Sequence, residues 1–343
     1  YMGAIGCMLL FFFKDAQHVH LALGGMLLAT IGYSGSIVFY NSYLPAIATE
    51  DRQDRTSARG YAFGYLGATT LLIINIVFMM NQEALGIKDD TLLQRLSFLL
   101  TGLWWLGFAQ IPLNTLPKGL STPNQKGKNI MNGYKELLKV WNRLKAHPRA
   151  RTFLLSFFFY IMGVQTVMFM ASSFGNKEIH MGDIELVITI LILEYIGIGG
   201  AFLFAWISRQ VGNIKALILA VSVWILICAG SYFIQTAIHF YIAAFFIGLV
   251  MGGIQSLSRS TYAKMIPTTG NNAGYFSFYD VCEKVAMMCG LIMFGTLDNL
   301  TGSMRNSIMG LALWFTIGLV LLIVVDRIRL VKQGDAESKV LTQ

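Results

Sequence analysis

The chain has 343 residues, 55% of them apolar and 13% charged, with a mean hydropathy of +0.59 and a formal net charge of +8. Soluble domains carry about 25% charged residues, so a chain this poor in charge has no ordinary water-facing surface. Soluble enzymes and free nucleic-acid binders are thereby excluded, and the basic excess suits loops lying against anionic lipid headgroups.

A hydrocarbon core of about 30 Å requires roughly 20 mainly apolar residues per helix. In chain order, apolar stretches fall at 1–13, 21–40, 61–80, 96–116, 152–174, 184–207, 216–235, 239–257, 274–297 and 306–325. The expectation is an all-α, polytopic membrane protein with ten spans. The first stretch is short, with neither a basic leader nor a small-residue cleavage site, so it does not read as a signal peptide. It reads as a span cut at its start, and the chain as part of something longer.

Of the 26 Lys and Arg, 20 fall in one set of alternate loops, 5 in the other, and Lys284 inside a span. The rich set runs from Arg52, Arg55 and Arg59 through the 117–151 stretch to the tail beginning at Arg327. Such a bias places that set, and the C-terminus, in the cytoplasm. It also supports the span count, since one missed helix would scramble the alternation.

The longest loop, 117–151, opens with Gly119, Ser121, Pro123, Asn124 and Gly127 and then turns helical. Leu137, Val140, Trp141 and Leu144 recur at i, i+3, i+4 and i+7 among Lys135, Lys139, Arg143 and Lys145. A basic amphipathic helix of this kind lies flat at the cytoplasmic interface or binds a partner. The chain thus divides into a four-span bundle (1–116), a basic linker (117–151), and a six-span bundle with its tail (152–343). Many transporters pair two similar bundles about an axis along the membrane normal, and equal halves would put two more spans before Tyr1. Residues 60–65 and 274–279 share three of six identities at an offset of 214, and the same offset lays Asn41-Ser42 on Gln255-Ser256.

Polar groups in hydrocarbon need a partner or a task. Tyr33, Ser36 and Tyr40 share one helical face, with Asn41 following; they line an aqueous cavity or form interhelical bonds and an interfacial belt. Gln165, beside Thr166, meets substrate or joins helices. Glu194 has no basic residue within a turn, which points either to reversible protonation or to a buried pair with another helix's cation, Lys284 foremost. Asp280 and Lys284 are four apart and can pair along their helix. With Glu283 they form a solvated helix start, a charged lock between bundles, or a proton or substrate site. Gly60 and Gly64, and Gly248 and Gly252, have GxxxG spacing, and Gly197, Gly199 and Gly200 cluster; such residues permit close helix contacts. The cysteines (Cys7, Cys228, Cys282, Cys289) lie in apolar runs, and the histidines in loops or at span ends. No metal-ligand spacing, Walker loop or nucleophile elbow is present, so no metal, cofactor or enzyme activity is expected.

Phe39-Tyr40-Asn41-Ser42-Tyr43-Leu44-Pro45-Ala46-Ile47-Ala48, Asp54-Arg55-Thr56-Ser57 and Gly60-Tyr61-Ala62-Phe63-Gly64-Tyr65-Leu66-Gly67 resemble one branch of the major facilitator superfamily. That branch holds the autophagy-linked vacuolar amino-acid effluxers and uncharacterised bacterial relatives. Gly253-Ile254-Gln255-Ser256-Leu257-Ser258-Arg259-Ser260 with Pro267, and Phe278-Tyr279 with Lys284, look like the matching second-half motifs. The resemblance implies a two-bundle fold of twelve spans, ten of them in this chain. It implies 21–40, 152–174 and 239–257 around a central cavity, and 1–13, 96–116, 216–235 and 306–325 outside. The superfamily's cytoplasmic gate motif is matched at Arg209 and Gly212, but Ser208 stands where its Asp would be, which puts a charge lock there in doubt.

The leading expectation is a secondary active transporter working by alternating access. Its implied substrate is an amino acid or similar small solute, moved outward and coupled to protons through Glu194. Asn41, Gln255, Tyr33, Tyr40, Gln165, Asp280, Glu283 and Lys284 are the other substrate or coupling candidates. The expected setting is a monomer in the plasma (inner) membrane, with lipid, solute and protons as partners and no nucleic acid. The alternative class is a membrane-embedded enzyme or non-transporting sensor acting on lipid, which would need catalytic groups gathered at one depth.

Overall fold

The computed structural model describes residues 1–82, 84, 86–87, 91–116, 130–267 and 272–341, with only the backbone of 130–132 and 329–341. The described residues form helices and no strand. The helices are α1 (Met2–Leu9), α2 (Val19–Ser42), α3 (Leu44–Ile47), α4 (Gln53–Met80), α5 (Leu92–Thr115) and α6 (Ile130–Lys145). They continue with α7 (Pro148–Ile179), α8 (Asp183–Val211), α9 (Asn213–Gly230), α10 (Ala237–Met265), α11 (Asn272–Thr301) and α12 (Met304–Leu341).

Among the described residues, eight helical stretches are long and apolar enough to cross a bilayer. The other two of the ten expected spans are α1 with its 3-10 turn, a short apolar helix over Met2–Phe12, and α11. The latter is 30 residues long but carries Asp280, Glu283, Lys284 and Asp298. Helix ends overrun the hydropathy edges: α4 starts at Gln53 instead of 61, and α10 runs to Met265 instead of 257. Hydropathy marks where hydrocarbon ends, whereas i to i−4 hydrogen bonds continue wherever nothing interrupts them. The amphipathic helix of the linker is α6, while Gly119, Ser121, Pro123, Asn124 and Gly127 lie outside the described residues.

The backbone groups into two compact units, one of residues 1–40 and 67–134, the other of residues 41–66 and 135–343. In the first, α1 is held by glycines. A methyl on Gly6 would strike the backbone of Ala29, and one on Gly32 the backbone of Gly3. Gly102 faces the Ala4 carbonyl, and Gly3 lies under the Trp105 indole, on which Tyr33 also packs edge-on. Buried Arg95 donates Nε–H to the Phe11 carbonyl at 2.6 Å and lays its guanidinium over the Phe11 ring. It thereby satisfies a carbonyl at the end of a helix, which has no partner within the helix. Beyond this end, Asp15 accepts from the His18 ring and the Gln17 amide; the His18 bond above all holds its carboxyl below the usual range.

In the second unit the most apolar window of α7 is 61% buried, that of α10 50% and that of α12 28%. Phe153, Phe157, Tyr160, Ile161 and Val164 on α7 are fully buried. Trp224 of α9 stacks on Phe315 of α12, and Ser156 of α7 donates to the Gly318 carbonyl. Without a hydrophobic drive between helices in lipid, such close packing is what holds them together. The tightest contact joins α8 to α10. A methyl on Gly252 would collide with the Gly197 carbonyl, one on Gly200 with the Leu249 carbonyl, and one on Gly248 would stand 2.7 Å from the Leu193 carbonyl. Gly212, at φ 89°, turns α8 into α9. At one end of the unit Glu178 ties α7 to α12, pairing with Arg305 at 3.1 Å and accepting the Met304 amide.

Candidate functional site

The opposite end of the second unit carries a polar chain that begins at Asp54, in the first turn of α4. A carboxylate there suits the positive end of the helix dipole. Its side chain is 7% exposed and takes the Lys264 ammonium at 2.8 Å. Asn213 Nδ2 donates to its other oxygen at 2.7 Å, and the Ser208 hydroxyl donates at 3.1 Å. Asn213 also bridges to Thr261 and accepts from Lys264. The residue in place of the motif's Asp, Ser208, is thus inside a charged cluster whose acid comes from α4. Gly212 of the same motif makes the turn that presents Asn213, while Arg209 is exposed. A cavity of about 430 Å³ adjoins the cluster, lined by Glu50, Asp51, Arg149, Asn213, Thr261 and Lys264 among others.

One turn further along α10, Arg259 is 3% exposed. Its guanidinium donates to the Ser57 hydroxyl (2.9 Å), the Ser57 carbonyl (2.8 Å) and Asn41 Oδ1 (3.1 Å). It also lies 4.5 Å from the centre of the Tyr61 ring. Three different nitrogens of its planar fork serve these acceptors, whereas the three donors of a Lys all leave one atom. Deeper still, Tyr65 donates to Gln255 Oε1 at 2.9 Å and Ser57 donates to the Ser256 carbonyl. Residues 54, 57 and 65 of α4 therefore run antiparallel to 264, 259 and 255 of α10.

A second group joins α7 to α11. Gln165 Nε2 donates to Glu283 Oε1 at 2.6 Å, and Lys284 stands 4.0 Å from Asp280 on its own helix. Tyr160 shares a hydrogen bond with Ser258 at 2.7 Å and packs edge-on against Phe157, which stacks on Tyr279. On α8, Glu194 Oε2 is buried with no hydrogen-bond partner among the described residues.

Of the residues singled out by sequence, the structure joins Asn41 to Arg259, Gln255 to Tyr65, Gln165 to Glu283, and Asp280 to Lys284. Glu194 does not pair with Lys284. Tyr33 and Tyr40 belong to the first unit and are exposed there. Among the described residues no three His, Cys, Asp or Glu side chains gather as a metal site would require. The sequence reading quoted Asp54, Ser57, Tyr65 and Arg259 only within motifs, counted the Arg259 and Lys264 charges with the loops, and gave none of them, nor Asn213, a place in a site. A usable signal was present in Ser256, Ser258, Ser260 and Thr261. Small hydroxyl side chains concentrated at a helix end can pack between helices.

The family model for vacuole effluxer Atg22-like proteins matches residues 1–335. The chain belongs to that family. An uncharacterised MFS-type transporter of Bacillus subtilis, YxiO, is 29% identical over 311 residues, which are 90% of this chain and 72% of that protein. Autophagy-related protein 22-1 of Phaeosphaeria nodorum is 29% identical over 329 residues, covering 84% of this chain and 56% of that protein. The chain spans about half the length of the fungal family members it matches. Among solved structures, the Escherichia coli fucose:proton symporter aligns with a TM-score of 0.70 at 14% identity, covering 94% of this chain and 81% of that one. The human organic anion transporter MFSD10 aligns at 0.69 and 11%, covering 93% and 74%. The fold is therefore that of the major facilitator superfamily, and the protein is an integral membrane protein.

Proposed function

We propose that this family member is a secondary transporter that moves a small solute by alternating access, and that the Asp54–Lys264 and Arg259 clusters are its cytoplasmic gate. The observation that carries this reading is the contrast between two kinds of helix contact in one unit. Contacts of α8 with α10 are glycine-to-carbonyl approaches too close to admit even a methyl group. Those of residues 54–65 with α8, α9 and α10 include side-chain hydrogen bonds and one ion pair, which water can replace when the helices part. Polar pairs that can be remade in water suit surfaces that separate in every cycle.

Amino acids are the favoured substrate class, because a zwitterion needs both signs of charge close together. The α7–α11 group offers them, with Gln165 and Glu283 for an ammonium and Lys284 for a carboxylate. Outward transport is the direction suggested by the family's description as effluxers. Glu194 is the coupling group of this reading: a carboxyl oxygen buried without a hydrogen bond is costly when charged, and taking up a proton removes that cost. The same reading assigns residues 117–151 as the linker between a first bundle within 1–116 and a second within 152–343. It places the protein in the plasma membrane with its C-terminus in the cytoplasm, acting as a carrier and not as an enzyme.

The test is a proteoliposome assay of the full-length protein against an amino-acid panel, with and without a pH gradient. Uptake driven by the gradient, together with Glu194→Gln retaining exchange but losing the drive, is the expected result. A panel with no accepted amino acid would overturn the substrate class, and gradient-driven uptake unchanged in Glu194→Gln would remove that residue from coupling.

A further inference from the structure

Helix α6 carries two apolar stripes, and the fold uses one of them. Val140 and Leu144 are fully buried in the core of the second unit. Tyr134, Leu138 and Trp141 follow one another at i, i+4 and i+7 and are 61%, 44% and 36% exposed. At 100° per residue this second stripe lies about a quarter-turn from the buried one. Lys135 and Lys139 flank it on the side away from the core, both exposed, and exposed Lys145 stands on it with its ammonium 5.7 Å from the Trp141 ring centre. The helix holds four cations, counting Arg143, against one carboxylate, Glu136, which pairs with Lys139 at 3.5 Å.

A stripe of Tyr, Leu and Trp bordered by lysines is not the exposed face of a water-surrounded helix. It is the pattern of a helix whose rings sit at the headgroup level while its lysines reach phosphates. The remaining sector of α6, around Glu136 and Arg143, is left to the cytosol. The one occupant that fits is the anionic lipid of the leaflet into which the neighbouring spans emerge: it is present beside every copy of the protein, and its charge complements that of the helix.

We infer that α6 binds anionic phospholipid headgroups through Lys135, Lys139 and Lys145, with Leu138 and Trp141 seated at the acyl boundary. The binding reaches the transporter core through one ring pair, because Trp141 stacks on Phe278 of α11 with centres 5.7 Å apart. Phe278 is two residues before Asp280 and five before Glu283. Lipid held on α6 therefore steadies the start of the helix that carries the α7–α11 group. This inference stands apart from the choice of transported solute and from the coupling ion.

The experiment uses the full-length protein in nanodiscs of phosphatidylcholine alone or with one-third phosphatidylglycerol, read by hydrogen exchange of peptides covering 133–145 and 272–284. A lysine near an anionic surface is worth about fivefold in binding, and salt screens that attraction over about 10 Å at 0.1 M. Exchange of 133–145 should slow about fivefold or more in the anionic discs, with a smaller slowing at 272–284, and 1 M salt should remove both. The double variant Lys135→Gln/Lys139→Gln should exchange at the wild-type rate in neutral discs and lose the anionic slowing. Equal exchange in both lipids would overturn the inference, as would slowing that survives both salt and the double variant. Protection that appears only on adding a soluble protein fraction would assign the stripe to a protein partner and overturn it likewise.

Discussion

Replacing Asp54 by Asn keeps the shape of the side chain and removes the charge that Lys264 holds at 2.8 Å. The new amide also turns a donor towards a site where Lys264, Asn213 and Ser208 all donate. Breaking a fully buried ion pair costs about 3–5 kcal/mol. Lys264 is 23% exposed, so its ammonium can swing to water and recover much of that, leaving about 1–2 kcal/mol. The contact is proposed to exist only while the cytoplasmic side is closed, and this energy is therefore the amount by which opening becomes easier. At a factor of ten per 1.4 kcal/mol, the open fraction should rise about 5- to 30-fold. A cysteine in place of Ser256, which is fully buried and whose carbonyl accepts from Ser57, reports the opening. With Cys7, Cys282 and Cys289 replaced by Ala, its labelling by a membrane-impermeant maleimide from the cytoplasmic side should accelerate by that factor. The swap Asp54→Lys/Lys264→Asp should return most of the protection, since Asn213 can present either its amide or its carbonyl. An unchanged labelling rate in Asp54→Asn, or a swap that labels as fast as the single variant, would refute the gate.

Arg259→Lys retains the charge but offers one nitrogen where Ser57 Oγ, Ser57 O and Asn41 Oδ1 are each served by a different one; the same cysteine should label at least fivefold faster than in the parent. Tyr65→Phe leaves Gln255 without its donor and should raise that rate only about three- to tenfold, near the worth of one neutral hydrogen bond. Gly252→Ala forces a methyl onto the Gly197 carbonyl, so the α8–α10 pair must separate. The expected loss of about 1–3 kcal/mol appears as a lower melting temperature in detergent, and a melting curve like the parent's would contradict the close approach. Glu283→Gln keeps a partner for Gln165 while removing the acid. It should weaken binding of an amino acid at least tenfold, measured by substrate-dependent thermal shift, and leave binding of a deaminated analogue little changed.

Much of the fold was legible from hydropathy and charge. All nine apolar stretches after the first short one became long helices, because a backbone in lipid must satisfy its hydrogen bonds within the segment. The glycines at 197, 200, 248 and 252 were legible as close contacts, and the i, i+4 relation of Asp280 and Lys284 reappears as a pair along α11. The partner of Gln165 was not legible, since 118 residues separate it from Glu283. Nor was the meeting of Asp54 with Lys264, whose charge had been counted with the loops.

Sequence by itself determined that this chain lives in a membrane, that it crosses it many times, and which family it joins. These properties depend on local composition and on motifs, and a single residue's neighbours in the chain are enough to express them. Which charges meet was decided by tertiary structure alone. Asp54 finds Lys264 across 210 positions, and Ser208 serves an acid on another helix, because the faces helices turn towards each other follow from packing and are written nowhere in the order of residues.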